Sequence, residues 1–219
     1  VPSFAAGIPV ALMNGSRRDA VNVGLSTWGE LGTALAGIEL AVEGEEHLWA
    51  ERPAVFIFNH QSGIDTLLLC KLLRRDVVAI GKQELRSTPL LGPLFAFAGM
   101  VFVDRADHEK ALAALGPAVE ALRSGLSLAI APEGTRSSTT HIGRFKKGAF
   151  HLAMQAGVPI VPIVFRNALD ALPKHSMVIR PARVEAVVHP PVSTDGWTRE
   201  SLDARIEEVR RIYLDTLEG

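Results

Sequence analysis

Cysteine is almost missing from this chain of 219 residues, which holds a single one, Cys70. One thiol excludes an internal disulfide and any zinc site built on several cysteines, and a reducing compartment fits. An excess of either charge is missing too. Lysine and arginine number 23 against 24 aspartates and glutamates, a formal net charge of -1. With no overall basic field, nucleic acid is not an expected partner, and an anionic ligand has to be held by local charge. Nor is there a long hydrophobic run. The longest early uncharged stretch, Val1 to Ser16, is interrupted by Pro2, Gly7, Pro9, Asn14 and Gly15, whereas a spanning helix needs about 20 mostly apolar residues. A secretory leader's basic start and small-residue cleavage site are not evident in that stretch.

Several catalytic signatures are also missing. There is no Gly-x-Ser-x-Gly elbow and no Gly-x-Gly-x-x-Gly. Gly143 and Gly148 have P-loop spacing, but Ala149 and Phe150 follow where Lys and Ser or Thr would stand. Histidines 47, 108, 141, 151, 175 and 189 are scattered, so neither a metal centre nor a covalent nucleophile is expected.

What is present describes a folded domain. Hydrophobic residues make up 47% and charged residues 21%, and the length suits one unit with a sizeable core. Residues 1–46 are rich in Gly and Ala, with Leu25, Trp28, Leu31, Leu35 and Ile38 at roughly helical spacing. They are expected to form an N-terminal amphipathic, membrane-proximal helical segment, with Arg17 and Arg18 reaching lipid headgroups; an ordinary packing helix is the alternative. Residues 47–219 are expected to form the main domain.

From Ala54 onward strands and helices alternate. Strands are predicted at Ala54–Phe58, Val77–Ile80, Val101–Val103, Leu126–Ala131, Ile160–Phe165, Met177–Arg180 and Val184–His189. Helices are predicted after Asp65, over Thr88–Ala98, from Asp107 to about Ser124 with a bend at Gly116-Pro117, over Phe145–Ala156, and after Thr198. In the last of these, Leu202, Ile206, Val209, Tyr213 and Leu217 share one face, and Arg210-Arg211 reads as solvated. The fold class is therefore α/β: a mostly parallel, mixed central sheet flanked by helices, with an N-terminal helical segment.

The chain is organised around Asn59-His60-Gln61-Ser62-Gly63-Ile64-Asp65, between a buried strand and a Leu-rich helix. A carboxylate that accepts from one imidazole nitrogen fixes the tautomer and leaves the other nitrogen as a base. On these residues alone, caps for a strand and a helix are an equal reading. A second strand runs into Pro132-Glu133-Gly134-Thr135-Arg136-Ser137, where Gly134 permits close approach, Thr135 and Ser137 offer hydroxyls, and Arg136 presents a planar fork for phosphate or carboxylate; taken alone, a Pro-Gly turn with a surface arginine is the stronger reading. Lys82 and Arg105 also follow strands. In a parallel sheet such strand ends share one rim, so His60, Lys82, Arg105 and Arg136 are expected to meet around an anionic substrate. Cys70, within the Leu-rich helix, is expected to be buried and inert.

Together these blocks resemble the glycerolipid acyltransferases, the lysophosphatidic acid acyltransferases (1-acylglycerol-3-phosphate acyltransferases) being the closest group. The first block is Asn59–Asp65. The second is Lys82-Gln83-Glu84-Leu85 with Pro89, Gly92, Gly99 and Val103-Asp104-Arg105. The third is Pro132–Ser137, and the fourth Val158-Pro159-Ile160-Val161-Pro162-Ile163. The resemblance implies that His60 is a general base, oriented by Asp65, for attack by a lysophospholipid hydroxyl on an acyl thioester. It implies that Glu133, Gly134, Thr135 and Arg136 hold the acceptor's glycerol phosphate, with Arg105 and Lys82 assisting. The fourth block would shape an acyl tunnel or be a buried strand. No cofactor is implied; acyl-CoA or an acyl-carrier protein is the co-substrate. Another acceptor, such as glycerol 3-phosphate, and a non-catalytic lipid-phosphate-binding module are the alternatives. The resemblance also implies a peripheral or monotopic protein on the cytoplasmic side of a membrane. In some relatives an upstream phosphatase-like domain precedes the acyltransferase unit, and a sequence beginning with Val leaves room for one.

Overall fold

The computed structural model describes residues 7–89, 91–103, 115–137, 139, 141–173, 176 and 178–219. Its strands are β1 (Ile38–Glu43), β2 (Val55–Phe58), β3 (Val77–Lys82), β4 (Val101–Val103), β5 (Ser127–Ile130), β6 (Ile160–Phe165) and β7 (Ala182–Val188). The helices described are α1 (Gly7–Asn14), α2 (Arg17–Leu35), α3 (His47–Ala50), α4 (Asp65–Leu73), α5 (Leu91–Phe97), α6 (Leu115–Arg123), α7 (Gly148–Ala156), α8 (Ala168–Ala171) and α9 (Leu202–Glu218). The strands form a 7-stranded sheet in the order β1-β7-β6-β2-β5-β3-β4. Neighbours are parallel except β6 and β7. The α/β class and mixed sheet are as the sequence predicts.

A parallel sheet needs cover on both faces, and the alternation of side chains along each strand supplies two cores. Val55 and Ile57 pack with α6, α7 and α9, whereas Phe56 and Phe58 pack with α3 and α4. The closing helix lies on the first face through Leu202, Ile206, Val209 and Tyr213, as its spacing predicts. Burial pushes the Tyr213 hydroxyl well above its ordinary pKa. Its Oη donates to the carbonyl of Ile57 at 2.7 Å, tying α9 to the central strand. Cys70 is buried, and desolvation pushes its thiol up to about 12. The fourth block is β6, buried along its whole length.

Some boundaries differ from expectation. Val178–Arg180 pairs with no strand: the Arg180 N–H is taken by the carbonyl of Ala171 at 2.8 Å, and β7 alone completes the sheet. Gln83–Ser87 forms a 3₁₀ turn ahead of α5. Helix α6 as described starts at Leu115, with Gly116-Pro117 in its first turn, and is followed by Gly125, whose φ of 85° suits glycine; the predicted cap Asp107 and the stretch before Leu115 lie outside the described residues.

The N-terminal segment departs most. Within 1–46, Ile38 belongs not to a helix but to β1, which pairs with β7 in the same sheet. The buried face of α2 is made of small residues, Ala20, Val21, Gly24, Gly29 and Thr33, while Leu31 and Leu35 are exposed. The reason is contact distance. A Cβ on Gly29 would stand 2.4 Å from the backbone nitrogen of Lys71, so α2 approaches α4 more closely than any larger residue permits. Gly29→Ala is therefore expected to overpack this interface and destabilise the fold by about 1–3 kcal/mol. A denaturant midpoint equal to wild type would contradict that.

Arg17 and Arg18, both exposed, also make hydrogen bonds within the protein. Arg17 donates to the carbonyls of Phe97 and Ala96 at the end of α5. Arg18 pairs with Asp76 at 2.6 Å and donates to the Gly125 carbonyl. Partial burial opposes ionisation of Asp76, but hydrogen bonds from Arg18 and Asn22 outweigh it and hold the carboxyl below its ordinary range. Ahead of β3, Arg52 spans the carbonyls of Leu48, Leu73 and Arg75 and stacks 4.2 Å from the Trp49 ring. Burial lowers its pKa to about 10. No described helix is long and apolar enough to cross a membrane.

Candidate active site

β2 delivers its last residue, Phe58, directly into the loop that carries His60. That loop is held by side chains imitating backbone. Asn59, fully buried, donates through Nδ2 to the carbonyl of Phe165 and accepts from its N–H, both at 2.8 Å, so it continues the β2–β6 ladder by one step. Ser62 Oγ accepts from Ile64 N–H and donates to the carbonyl of Leu172 at 2.6 Å, which fixes the turn into α4.

Asp65 is the first residue of α4 and has no exposed surface. A buried carboxylate requires partners, and its Oδ2 has three: His60 Nδ1 at 2.8 Å and the N–H groups of Gln61 and Ser62 at 2.9 Å. The helix N-terminus adds favourable dipole. With Nδ1 donating to the carboxylate, the His60 proton resides on Nδ1 and the lone pair on Nε2. The His60 side chain is 25% exposed and rests edge-on against Phe58. Its Nε2 has no hydrogen-bond partner among the described residues. The geometry is that of an imidazole oriented by a carboxylate, and it exceeds what capping requires. Asp65 Oδ1 and both polar atoms of the Gln61 side chain are buried without partners among the described residues.

β5 ends at Ile130, alongside β2, and sends the Pro132–Ser137 loop over His60. Ser137 N–H donates to the His60 carbonyl at 2.8 Å. Glu133, expected to hold acceptor, is buried: its Oε1 accepts from His60 N–H at 3.2 Å and its Oε2 from Gly143 N–H at 3.0 Å. Arg136 is exposed, and its Nη1 lies 3.6 Å from where a Cβ on Gly63 would stand, so the guanidinium leans over the His60 loop. Gly134, at a φ of 75°, lies under Lys146, whose Nζ would be 2.8 Å from an added Cβ. Thr135 is exposed. Lys82 ends β3 on the same rim, exposed and without an ion pair among the described residues. Arg105 lies outside the described residues.

Sequence reasoning missed four participants. Lys146 lies across Gly134. Gly143 presents its N–H to Glu133. Arg210, expected to be solvated, donates to the carbonyls of Gly143 at 3.0 Å and Ile142 at 3.1 Å, so α9 holds the loop that holds Glu133. Asn59 carried a signal, because an amide ending an apolar strand has to find backbone partners. Arg210 carried none, since its partners are remote in sequence. Among the described residues no group of three or more His, Cys, Asp or Glu is arranged to hold a metal.

With this geometry in hand, comparison with known proteins is decisive. The family model described as Acyltransferase matches residues 39–166, which include His60, Asp65 and the Pro132–Ser137 loop. The chain belongs to the acyltransferase family. Within that family, it is 34% identical over 184 residues to the 1-acyl-sn-glycerol-3-phosphate acyltransferase of Cocos nucifera, covering 84% of this chain and 59% of the relative. It is 35% identical over 187 residues to the enzyme of the same name from Saccharomyces cerevisiae, covering 84% of this chain and 61% of the relative. The chain thus spans about three fifths of the length of these curated acyltransferases. The crystal structure of the 1-acyl-sn-glycerophosphate (LPA) acyltransferase PlsC from Thermotoga maritima superposes with a TM-score of 0.77 at 26% identity, covering 95% of this chain and 87% of that one.

Proposed function

We propose that the protein transfers an acyl chain from a thioester donor, acyl-CoA or acyl-carrier protein, to the free hydroxyl of 1-acylglycerol-3-phosphate, giving phosphatidic acid. The observation that carries the reading is the His60–Asp65 pair at the end of a central parallel strand, with Nε2 unpartnered among the described residues and the guanidinium of Arg136 leaning over the same loop. A module that only binds lipid phosphate needs no oriented base.

In this mechanism Nε2 of His60 takes the proton of the acceptor hydroxyl as its oxygen attacks the thioester carbonyl. The C–O bond forms, the tetrahedral intermediate collapses, the C–S bond breaks, and the imidazolium returns the proton to the departing thiolate. Asp65 stabilises the imidazolium between those steps. No acyl-enzyme is required. Arg136, assisted by Lys82 and Lys146, neutralises the acceptor phosphate; the backbone of Gly134 and the hydroxyl of Thr135 complete its contacts. A cavity of about 690 Å³ is lined by Val78, Met100, Phe102 and Leu126 but also by Arg17, Arg18 and Arg86, and neither His60 nor the Pro132–Ser137 loop borders it. Attachment to a membrane surface, on its cytoplasmic side, is supported by Leu12 and Met13 of α1 and Leu35 of α2, all more than four-fifths exposed.

The test is transfer from labelled palmitoyl-CoA to lysophosphatidic acid, glycerol 3-phosphate and monoacylglycerol in parallel, with Arg136→Ala beside wild type. Wild type is expected to favour lysophosphatidic acid. Arg136→Ala is expected to raise the KM for that acceptor about 10- to 100-fold through loss of a charged hydrogen bond, with the donor KM held. A rise in donor KM instead would move the phosphate site elsewhere. Product only from glycerol 3-phosphate would keep the chemistry and change the acceptor.

A further inference from the structure

We infer that Glu133 is a positioning residue for His60 rather than a ligand of the acceptor, and that Gly143 is the second point to which it is anchored. The inference rests on the acyltransferase reading above and assigns one residue of that site.

The main chain of His60 is gripped on both sides by the loop that follows β5. Its N–H donates to Glu133 Oε1 at 3.2 Å, and its carbonyl accepts from Ser137 N–H at 2.8 Å. The other carboxylate oxygen of Glu133 accepts from Gly143 N–H at 3.0 Å. Glu133 is 8% exposed, so its carboxylate offers little surface to a ligand arriving from solvent. A carboxylate turned towards a phosphate would also repel it. A carboxylate that bridges two N–H groups is instead a rigid spacer, because both oxygens accept and neither donates.

The anchor behind it is also fixed. Arg210 of α9 donates to the carbonyls of Ile142 and Gly143, which leaves the Gly143 N–H aimed at Glu133. A relay of hydrogen bonds therefore runs from the closing helix through Gly143 and Glu133 to the peptide that carries the base. The space around the anchor is tight. A Cβ on Gly143 would stand 3.2 Å from Glu133 Oε2, so alanine there displaces the carboxylate by a few tenths of an ångström without removing any donor. What Glu133 contributes is the orientation of His60 Nε2 towards the reacting hydroxyl. Misplacement of a catalytic group by about 1 Å costs on the order of 100-fold in rate.

Two readouts on the full chain test this, with Glu133→Gln, Gly143→Ala and wild type side by side. The first is steady-state transfer. Glutamine keeps one acceptor and turns an NH₂ group against the remaining N–H, so kcat is expected to fall about 10- to 100-fold with the lysophosphatidic acid KM within about twofold of wild type. Gly143→Ala is expected to show the same split with a smaller fall in kcat. The second readout needs no activity: amide hydrogen exchange of the peptide containing His60. In Glu133→Gln the His60 amide is expected to exchange faster than in wild type, while protection of the β6 amides is unchanged. A raised acceptor KM at wild-type kcat in Glu133→Gln would make Glu133 an acceptor ligand and overturn the inference. So would Gly143→Ala at wild-type kcat, or an unchanged His60 amide in Glu133→Gln. Wild type inactive with every acceptor would instead remove the acyltransferase reading, and the exchange result would still decide whether Glu133 holds His60.

Discussion

Replacing His60 by alanine is expected to lower kcat for acyl transfer by about 10²- to 10⁴-fold, the range a positioned general base supplies, while lysophosphatidic acid still binds. The expectation follows from how little else the loop offers. Nδ1 is committed to Asp65, Nε2 has no partner among the described residues, and the side chain retains a quarter of its exposure. Arg136 reaches the loop from a separate strand end, so the phosphate contact proposed for it does not depend on the imidazole. Binding measured by titration and transfer measured with a labelled thioester separate the two roles. Loss of both together would make His60 part of the binding surface. Retention of transfer would end the general-base mechanism.

Asp65→Asn is expected to produce the second large effect, again about 10²- to 10⁴-fold in kcat. The amide oxygen can still accept from the N–H groups of Gln61 and Ser62, so the turn survives, but the charge opposite the imidazolium is gone. Because His60 and Asp65 act as one unit, the double variant His60→Ala/Asp65→Asn is expected to be no slower than the slower single variant. Effects that multiply would mean that Asp65 acts on the reaction independently of His60. Asp65→Ala is a poorer probe, since two buried N–H groups would be orphaned at about 1–3 kcal/mol each and unfolding would obscure the chemistry.

The site's central contact was legible in the sequence because its two residues lie at short range. His60 and Asp65 lie five positions apart, and one turn at a helix start joins them, so pattern alone suggested their contact. The parallel sheet was legible for a similar reason: Val55–Phe58 and Ile160–Phe165 are apolar throughout, as strands covered on both faces have to be. The N-terminal helix was misjudged because periodicity counts large apolar residues, whereas α2 docks through glycine and alanine. A small residue scores weakly in any hydrophobic pattern, yet it sets how near two backbones come. The intramolecular partners of Arg17 and Arg18 were not legible because the carbonyls and the carboxylate they meet belong to distant segments. The role of Glu133 was hidden for the same reason, as nothing local indicates that its oxygens point to His60 and Gly143.

The edge strand and the closing helix also impose an order on the protein's birth. β1 leaves the ribosome well before its neighbour in the sheet, β7, so Ile38 waits for Ala182 before its ladder can form. The central strand β2 receives its tie from Tyr213, and the loop behind Glu133 receives Arg210, only when α9 has emerged. Long-range pairings of this kind are slow to form, and during synthesis they cannot form at all until their partners exist. A nascent chain that already carries His60, Asp65 and Arg136 therefore lacks the support that aims them. The loop that carries His60 is fully braced only once α9 has packed against the sheet.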